Sequence, residues 1–485
     1  MLYSYFTVNF VTELGIYQMV KLNLFTASNI FMSSLLLGAC QFPNISQIKE
    51  ASASLVNLEK ISDGGQSVKV SGVSNHTPLP LEDILENSLA NKNQGSDFVT
   101  SLKYAIDTDH SINAKRRDIE AKLAAVGIAD AQKDFQIGTT LYGGLEDVTD
   151  NTKGLAVAVN ASRLVFDGGK LDSQIRSSLY EVEVSKMELS AALDQRARDL
   201  CQIWLELEKY KSLQAQIDKR LSVLDPLIEQ LEKVVEAGVG DVGKVTAAQR
   251  TVSAIRVEQT KVAEGLAQAR LEFANAFGAI GQDIIFDYDL LRNLVPSDIS
   301  DDLVQNAPLL KAYYASYQAS LSKVKALKAK DGFEVGFEAR AMMPFAGSEY
   351  SSDESIGLVG KKTLFNGGML DSEIKEAEAS AEARLARIKA TYRTGSRSIR
   401  TAIQNIESMD KAILVAKQNA KITSDEIVYL RQQLIIGGST LDSVLSAEAR
   451  LYEAESKEIK LLTEKYKSEL DVVSTLGLLS RALGY

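Results

Sequence analysis

Apolar positions along this chain keep two different periods, and the two alternate in a fixed order. In "DFQIGTTLYGGLEDV" the period is two: Phe135, Ile137, Thr139, Leu141 and Leu145 share one face, and Gln136, Thr140 and Glu146 the other. "GLAVAVNASRLVF" continues with Leu155, Val157 and Val159 on one face. This alternation predicts two strands joined at "TDNTKG". A second pair is clearer. "FEVGFEARAMMPF" sets Phe333, Val335, Phe337, Ala339, Ala341, Met343 and Phe345 against Glu334, Glu338 and Arg340, and "SIGLVGKKTLF" pairs with it. One face suits lipid and the other water, because a strand buried on both faces would not carry a charge at alternate positions. A soluble hairpin with one wet face fits the same alternation.

Elsewhere the period is helical. A run from about Leu81 to Lys133, broken near "DTDHS", precedes the first strands. Long polar, alanine-rich stretches follow each strand pair. Val245, Ala248, Val252, Ile255, Gln259, Val262, Leu266, Ala269 and Phe273 alternate intervals of three and four, which is a coiled-coil seam. Val444, Ala447, Leu451, Ala454 and Leu461 keep the same positions later in the chain.

The order of elements is repeated. "FDGGKLDSQI" at Phe166 returns as "FNGGMLDSEI" at Phe365. Gly168 to Gly238 and Gly367 to Gly437 are both 70 residues apart, so each glycine pair is followed by a helix of roughly 100 Å at 1.5 Å per residue. The expected organisation is an N-terminal segment 1–39, an extended lead-in 40–80, a first repeat 81–279, a linker 280–299, a second repeat 300–479 and a tail 480–485. The first repeat holds strands 134–147 and 153–167, a long helix 170–236 and a return helix 242–277. The second holds strands 332–345 and 354–366, a long helix 369–435 and a return helix 441–479. The fold class is mainly α with a β-barrel portion. Four strands cannot close a barrel, and an open edge in lipid costs several kcal/mol for each unsatisfied group. Three chains would supply twelve strands and ring the long helices into a hollow cylinder.

Composition narrows the function. The 485 residues carry 24% charged side chains, 7 prolines and a net charge of −10 with scattered basic residues. No basic stripe suited to phosphates is visible, so nucleic acid is not an expected partner. Cys40, Cys201, His76 and His110 lack metal-ligand spacing. No phosphate loop, nucleophile elbow or HExxH is present, and neither an enzyme nor a cofactor is expected. Cys201 reads as a buried apolar contact beside Trp204. Residues 22–39 are largely apolar behind Lys21 and are short for a bilayer span, a secretory signal pattern. Met19 is an alternative initiator. Leu37-Gly38-Ala39-Cys40 resembles the bacterial lipobox, which implies lipidation at Cys40; a reduced cysteine beside an ordinary cleavage site is the alternative. Gln41 is not the aspartate of an inner-membrane retention signal, so the address points to the outer membrane.

From about Leu81 to Leu479 the chain resembles the TolC-type outer-membrane channels of efflux pumps and type I secretion systems. The duplicated "F[DN]GGxLDS[QE]I" and the turns "AGVGDVGKVTAAQ" and "IGGSTLDSVLSAE" carry the resemblance. It implies a homotrimer with a lipid-embedded twelve-stranded barrel, a periplasmic helical tunnel and an equatorial belt near 280–300. Gly168, Gly169, Gly367 and Gly368 become strand-to-helix junctions. Ala237, Gly238, Val239, Gly240, Ile436, Gly437 and Gly438 become tips where a periplasmic adaptor docks, and an inner-membrane ABC exporter or proton-driven pump supplies the energy. The family's acidic entrance ring would fall on Ser443 and Ser446, with Asp442 beside them and Asp241 at the other tip. Pro226, inside the first long helix, either kinks it or lets Asp225 cap a fresh segment, and unequal bending of the two hairpins is expected. Type I protein secretion is favoured as the function, with small-molecule efflux and a non-channel periplasmic scaffold as alternatives.

Overall fold

The computed structural model describes residues 97–144, 154–238, 242–278, 284–296, 301–345 and 347–485. The segment read as a signal, Cys40 and the lead-in lie outside the described residues.

The first repeat begins with α1 (Phe98–Asp107) and α2 (His110–Ala131). They are separated at Asp109, whose carboxylate accepts from the Ser111 and Ile112 amides and starts the second helix. That is the break expected at "DTDHS". Strands β1 (Gln136–Gly144) and β2 (Gly154–Phe166) follow. Then come the 67-residue helix α3 (Lys170–Glu236) and the return helix α4 (Val242–Phe277). The linker carries α5 (Tyr288–Leu294). The second repeat comprises α6 (Asp301–Gln305), α7 (Pro308–Ala329), β3 (Glu334–Pro344), β4 (Asp353–Lys361), a second 67-residue helix α8 (Met369–Ile435) and α9 (Leu441–Thr475). A short helix α10 (Leu478–Ala482) ends the chain.

The structure departs from expectation in three places. β4 ends at Lys361 rather than 366, leaving Leu364 and Phe365 outside the sheet and almost fully exposed. The last return helix stops at Thr475 rather than 479, and Gly477 takes φ 73° to start α10, which runs on into the segment read as tail. Asp194 of α3 holds α10 by accepting from the Ser480 amide at 2.9 Å and its hydroxyl at 2.6 Å. Burial pushes the Asp194 carboxyl above its usual range, against the pull of these Ser480 bonds. The third departure is the fresh segment read as one alternative at Asp225, because α3 runs unbroken through Pro226. Asp225 there accepts from Arg256 of α4 at 2.9 Å, so no fresh segment is capped.

The four strands form one antiparallel sheet in the order β1-β2-β3-β4. Pairing therefore runs within each repeat and also between them, Ala156↔Pro344 through Phe166↔Val335. The register collects like with like. Ile137, Ala161, Ala339 and Ile356 form one row and Arg163, Phe337 and Leu358 another on the same face. The opposite face collects Gln136, Ser162 and Glu338, then Asn160, Arg340 and Ser355. On the apolar face, Arg163 stacks over Phe135 at 5.2 Å and donates to the Lys133 carbonyl at the helix end of the sheet.

Helix packing divides at mid-length. Trp204, fully buried, meets Phe98, Phe273 and Phe277 edge-on at 4.9–5.0 Å and joins α1, α3, α4 and α5 in one cluster with Cys201. Burial pushes the Cys201 thiol up, as an inert core residue requires. The α4 seam is buried from Val245 to Phe273 except at Gln259, which donates to Asp218 at 3.1 Å. In α9, Val444, Ala447, Leu451 and Ala454 are buried, and Leu461 is half-buried.

Candidate functional site

Three places carry the expected residues: the strand-to-helix junctions, the tips, and the helices just above the tips.

At the junctions Gly168 and Gly169 take φ 65° and 82°, and Gly367 and Gly368 take φ 70° and 78°. Two successive left-handed residues turn an extended strand sharply into a helix, which side chains with a Cβ resist. In the first repeat Asp167 accepts from the Gly169 amide at 2.9 Å and the Leu171 amide at 2.6 Å, placing a carboxylate at the positive end of α3. Asn366 occupies that place in the second repeat, and its carbonyl accepts from the Met369 amide at 3.4 Å. Lysines brace both corners: Lys133 pairs with Asp172 at 2.9 Å and Lys330 with Glu373 at 3.0 Å. Lys170 reaches Glu334 of the other repeat at 3.1 Å.

At the first tip Gly238 takes φ 76° and its amide donates to the Val235 carbonyl at 2.9 Å, ending α3 beyond Ala237. Val239, Gly240 and Asp241 lie outside the described residues. At the second tip Gly437 takes φ 76°, and the Gly438 amide donates to the Gln433 carbonyl at 2.8 Å. Ile435 and Ile436 are 85% and 75% exposed there. Two adjacent isoleucines held in water at the end of a polar helix form an apolar knob. The turn residues thus serve as helix caps, and the knob stands beside them.

Asp442, Ser443 and Ser446 are half-buried within the chain. The Ser443 amide donates to Oγ1 of Thr440, and the two hydroxyls lie 2.8 Å apart, so Ser443 belongs to the N-cap of α9. Ser446 faces a cavity of about 840 Å3 between α4 and α9, with Ile255, Glu258, Arg450 and Tyr452 among its walls.

Sequence reasoning missed the cluster just above the tips. Arg220 of α3 is 4% exposed and Glu448 of α9 is 2% exposed, and they are directly paired. Arg220 also donates to Glu455 at 2.7 Å, and Arg431 of α8 holds the other Glu448 oxygen at 2.7 Å. One charged cluster thus joins both repeats across three helices. Glu448 and Glu455 lie seven residues apart beside the α9 seam, which was the available signal; their common partner is more than 200 residues away and leaves no local pattern.

Among the described residues no group of His, Cys, Asp and Glu could hold a metal, and no helix is long and apolar enough to cross a membrane.

Known proteins share this geometry. Residues 299–478 match the family described as outer membrane efflux protein. TolC of Escherichia coli is 22% identical over 139 residues, 28% of this chain and 28% of TolC, so the aligned sequence spans little more than a quarter of that relative. Solved structures agree over far more of the chain. CusC superposes with a TM-score of 0.69 at 15% identity, covering 80% of this chain and 95% of CusC. VceC of Vibrio cholerae gives 0.67 at 17%, covering 78% and 95%, and the CmeC outer-membrane channel of Campylobacter jejuni 0.65 at 12%, covering 85% and 94%. The expected fold class, mainly α with a β-barrel portion built from long helical hairpins and strand pairs, is the one these structures share. The second repeat thus matches the outer membrane efflux proteins, and the described residues together take the fold that these solved outer-membrane proteins share.

Proposed function

We propose that this protein is one third of an outer-membrane exit duct, conducting cargo passively from a periplasmic adaptor and an inner-membrane transporter to the cell exterior. The observation that carries the reading is the sheet. Its four strands of 9–13 residues suit tilted membrane strands, which need about 9–11 residues. One face is apolar, the other polar, and β1 and β4 pair on one side only among the described strands. In lipid each unsatisfied edge group costs several kcal/mol. Copies of the chain relieve that cost at both edges together, and a homotrimer gives twelve strands. The exposed apolar side chains of α8, among them Leu414, Val415, Ile422 and Val428, supply the matching surface along the tunnel.

The tips at Gly238 and Gly437 are the adaptor-docking ends in this reading, with Ile435 and Ile436 as the apolar contact. Asp442, Ser443 and Ser446 stand beside the periplasmic gate. Cys40 is the lipid anchor, and the energy comes from an ABC exporter or a proton-driven pump. Protein secretion is the favoured cargo class because "SLKYAIDTDHSI" lacks the Trp- and Pro-containing opening of many efflux channels. Small-molecule efflux is the second reading, supported by the description of the matching family.

Planar-bilayer conductance of the purified protein, with the oligomer's mass measured in parallel, tests the duct; a monomer without conductance would end the proposal. Deleting the gene then separates the cargo classes. Loss of an exported protein with unchanged drug and metal tolerance supports secretion, and the reverse supports efflux.

A further inference from the structure

From Ala383 to Ile406, α8 carries six cations and no acid: Arg384, Arg387, Lys389, Arg393, Arg397 and Arg400. The matching stretch of α3, one repeat earlier, mixes Lys186, Arg196 and Arg198 with Glu188, Asp194, Asp199 and Glu206. Nearer the tip of α8, Lys417 pairs with Glu458 and Arg431 with Glu448. Lys389, Arg393 and Arg397 are exposed, stand at successive turns of one helix face, and pair with no acid among the described residues. Like charges at this spacing repel, and a chain of net charge −10 has acids in excess with which to match them. Between the two arginines sits Ser396, 9% exposed, whose hydroxyl has no hydrogen-bond partner. Arg393, Ser396 and Arg397 line a cavity of about 420 Å3 together with Tyr392, Arg400 and Thr401.

We infer that this face of α8 is an oxyanion site, in which Arg393 and Arg397 hold a polyvalent carboxylate or phosphate and the Ser396 hydroxyl donates to it. Guanidinium groups grip both oxyanion classes through paired N–H donors. A buried hydroxyl without a partner is the group such a ligand satisfies. Lys389 extends the positive field by a further turn, which favours a ligand with several charges over a single carboxylate. In the proposed duct the site lies well away from the sheet: Arg393 is 24 residues beyond Met369, about 36 Å along the helix. The occupant is therefore a dissolved anion rather than a lipid headgroup.

The test is calorimetric titration of the purified full-length protein with citrate and, separately, inorganic phosphate at low ionic strength. It is repeated on S396A and on the double variant Arg393→Gln, Arg397→Gln. All three positions lie outside the charged cluster above the tips, and circular dichroism melts report whether folding is intact. Saturable binding is expected, weakened at least tenfold by the double variant and several-fold by S396A. Tighter citrate binding identifies a carboxylate-bearing ligand, and tighter phosphate binding a phosphorylated one. No saturation by about 10 mM of either anion, or equal binding by wild type and double variant, overturns the site. So does a double variant that dissociates the oligomer while its anion binding stays intact. Binding is read without any conductance, so a failed site and a failed duct give different results.

Discussion

The two 67-residue helices share a length, a glycine-pair entry and a glycine exit, yet they live in different surroundings. α3 packs against α2, α4, α7 and α9, and Leu200, Trp204, Leu207, Leu213, Ile217 and Leu224 vanish from solvent along it. α8 packs against α7 and α9, with the short α6 added where Val304 meets Ile399. Leu414, Val415, Ile422, Val428 and Tyr429 remain more than half exposed along its lower part. Duplication has therefore produced one helix that completes the single chain and one whose apolar surface is left for something outside it. The asymmetry is local: α3 packs against both return helices, α4 and α9, whereas α8 packs against α9 alone of the two.

That contrast can be broken or sharpened by substitution. The largest effect is expected at Arg220 on α3. Arg220→Ala leaves Glu448 buried with only Arg431 to balance it, and removing one partner of a buried pair typically costs about 3–5 kcal/mol. Denaturant melts check this, and Arg220→Ala with Glu448→Ala should recover part of the loss. A cost below about 1 kcal/mol, the range of exposed pairs, would mean that solvent reaches the cluster. Asp194→Ala should cost about 1–3 kcal/mol by stranding the Ser480 donors, with release of α10 visible as faster amide exchange at Leu479 and Ser480.

A pH dependence accompanies Asp194. Its carboxyl is raised in the fold, so the folded chain holds the proton more tightly than the unfolded chain. Stability relative to Asp194→Asn should rise as pH falls through the raised value towards 3.8 and then level off. A relative loss on acidification would contradict the burial of this group. On α8, Leu414→Gln should change the stability of the separated chain by no more than about 0.5 kcal/mol, as exposed sites do, while weakening self-association in analytical ultracentrifugation. Equal destabilisation of α3 and α8 surfaces would erase the contrast. The smallest effect concerns Pro226, present in α3 and replaced at the matching position of α8 by Asp425. If the hairpins bend unequally on opening, Pro226→Ala shifts conductance substates with little change in stability. Unchanged conductance and export would remove that idea.

Much of this architecture is legible because its determinants are local and periodic. Alternation marks the strands, and the alternating three-four spacing marks Val245 to Phe273. The spacing of Gly168 and Gly367 from their tips sets both rods at equal length. What stays hidden depends on distant partners. Nothing near Phe166 or Val335 in composition announces that β2 and β3 pair, nor that α10 is pinned by a residue 286 positions earlier. Resemblance puts Ser443 and Ser446 at an entrance ring, and the α9 cap that engages Ser443 is not visible in their spacing. The cations of α8 are visible as letters but carry no meaning until Ser396 is seen buried among them.

The seam between β2 and β3 has a consequence for biogenesis. Its paired residues are separated by about 170–190 positions, and contacts so far apart form late because long loops close slowly. In the proposed duct the first hairpin therefore leaves the translocation machinery with a naked flank and must wait, unseated, until about 180 further residues, more than a third of the polypeptide, have followed it. A periplasmic escort that shields amphipathic ribbons is the natural requirement of such a delay.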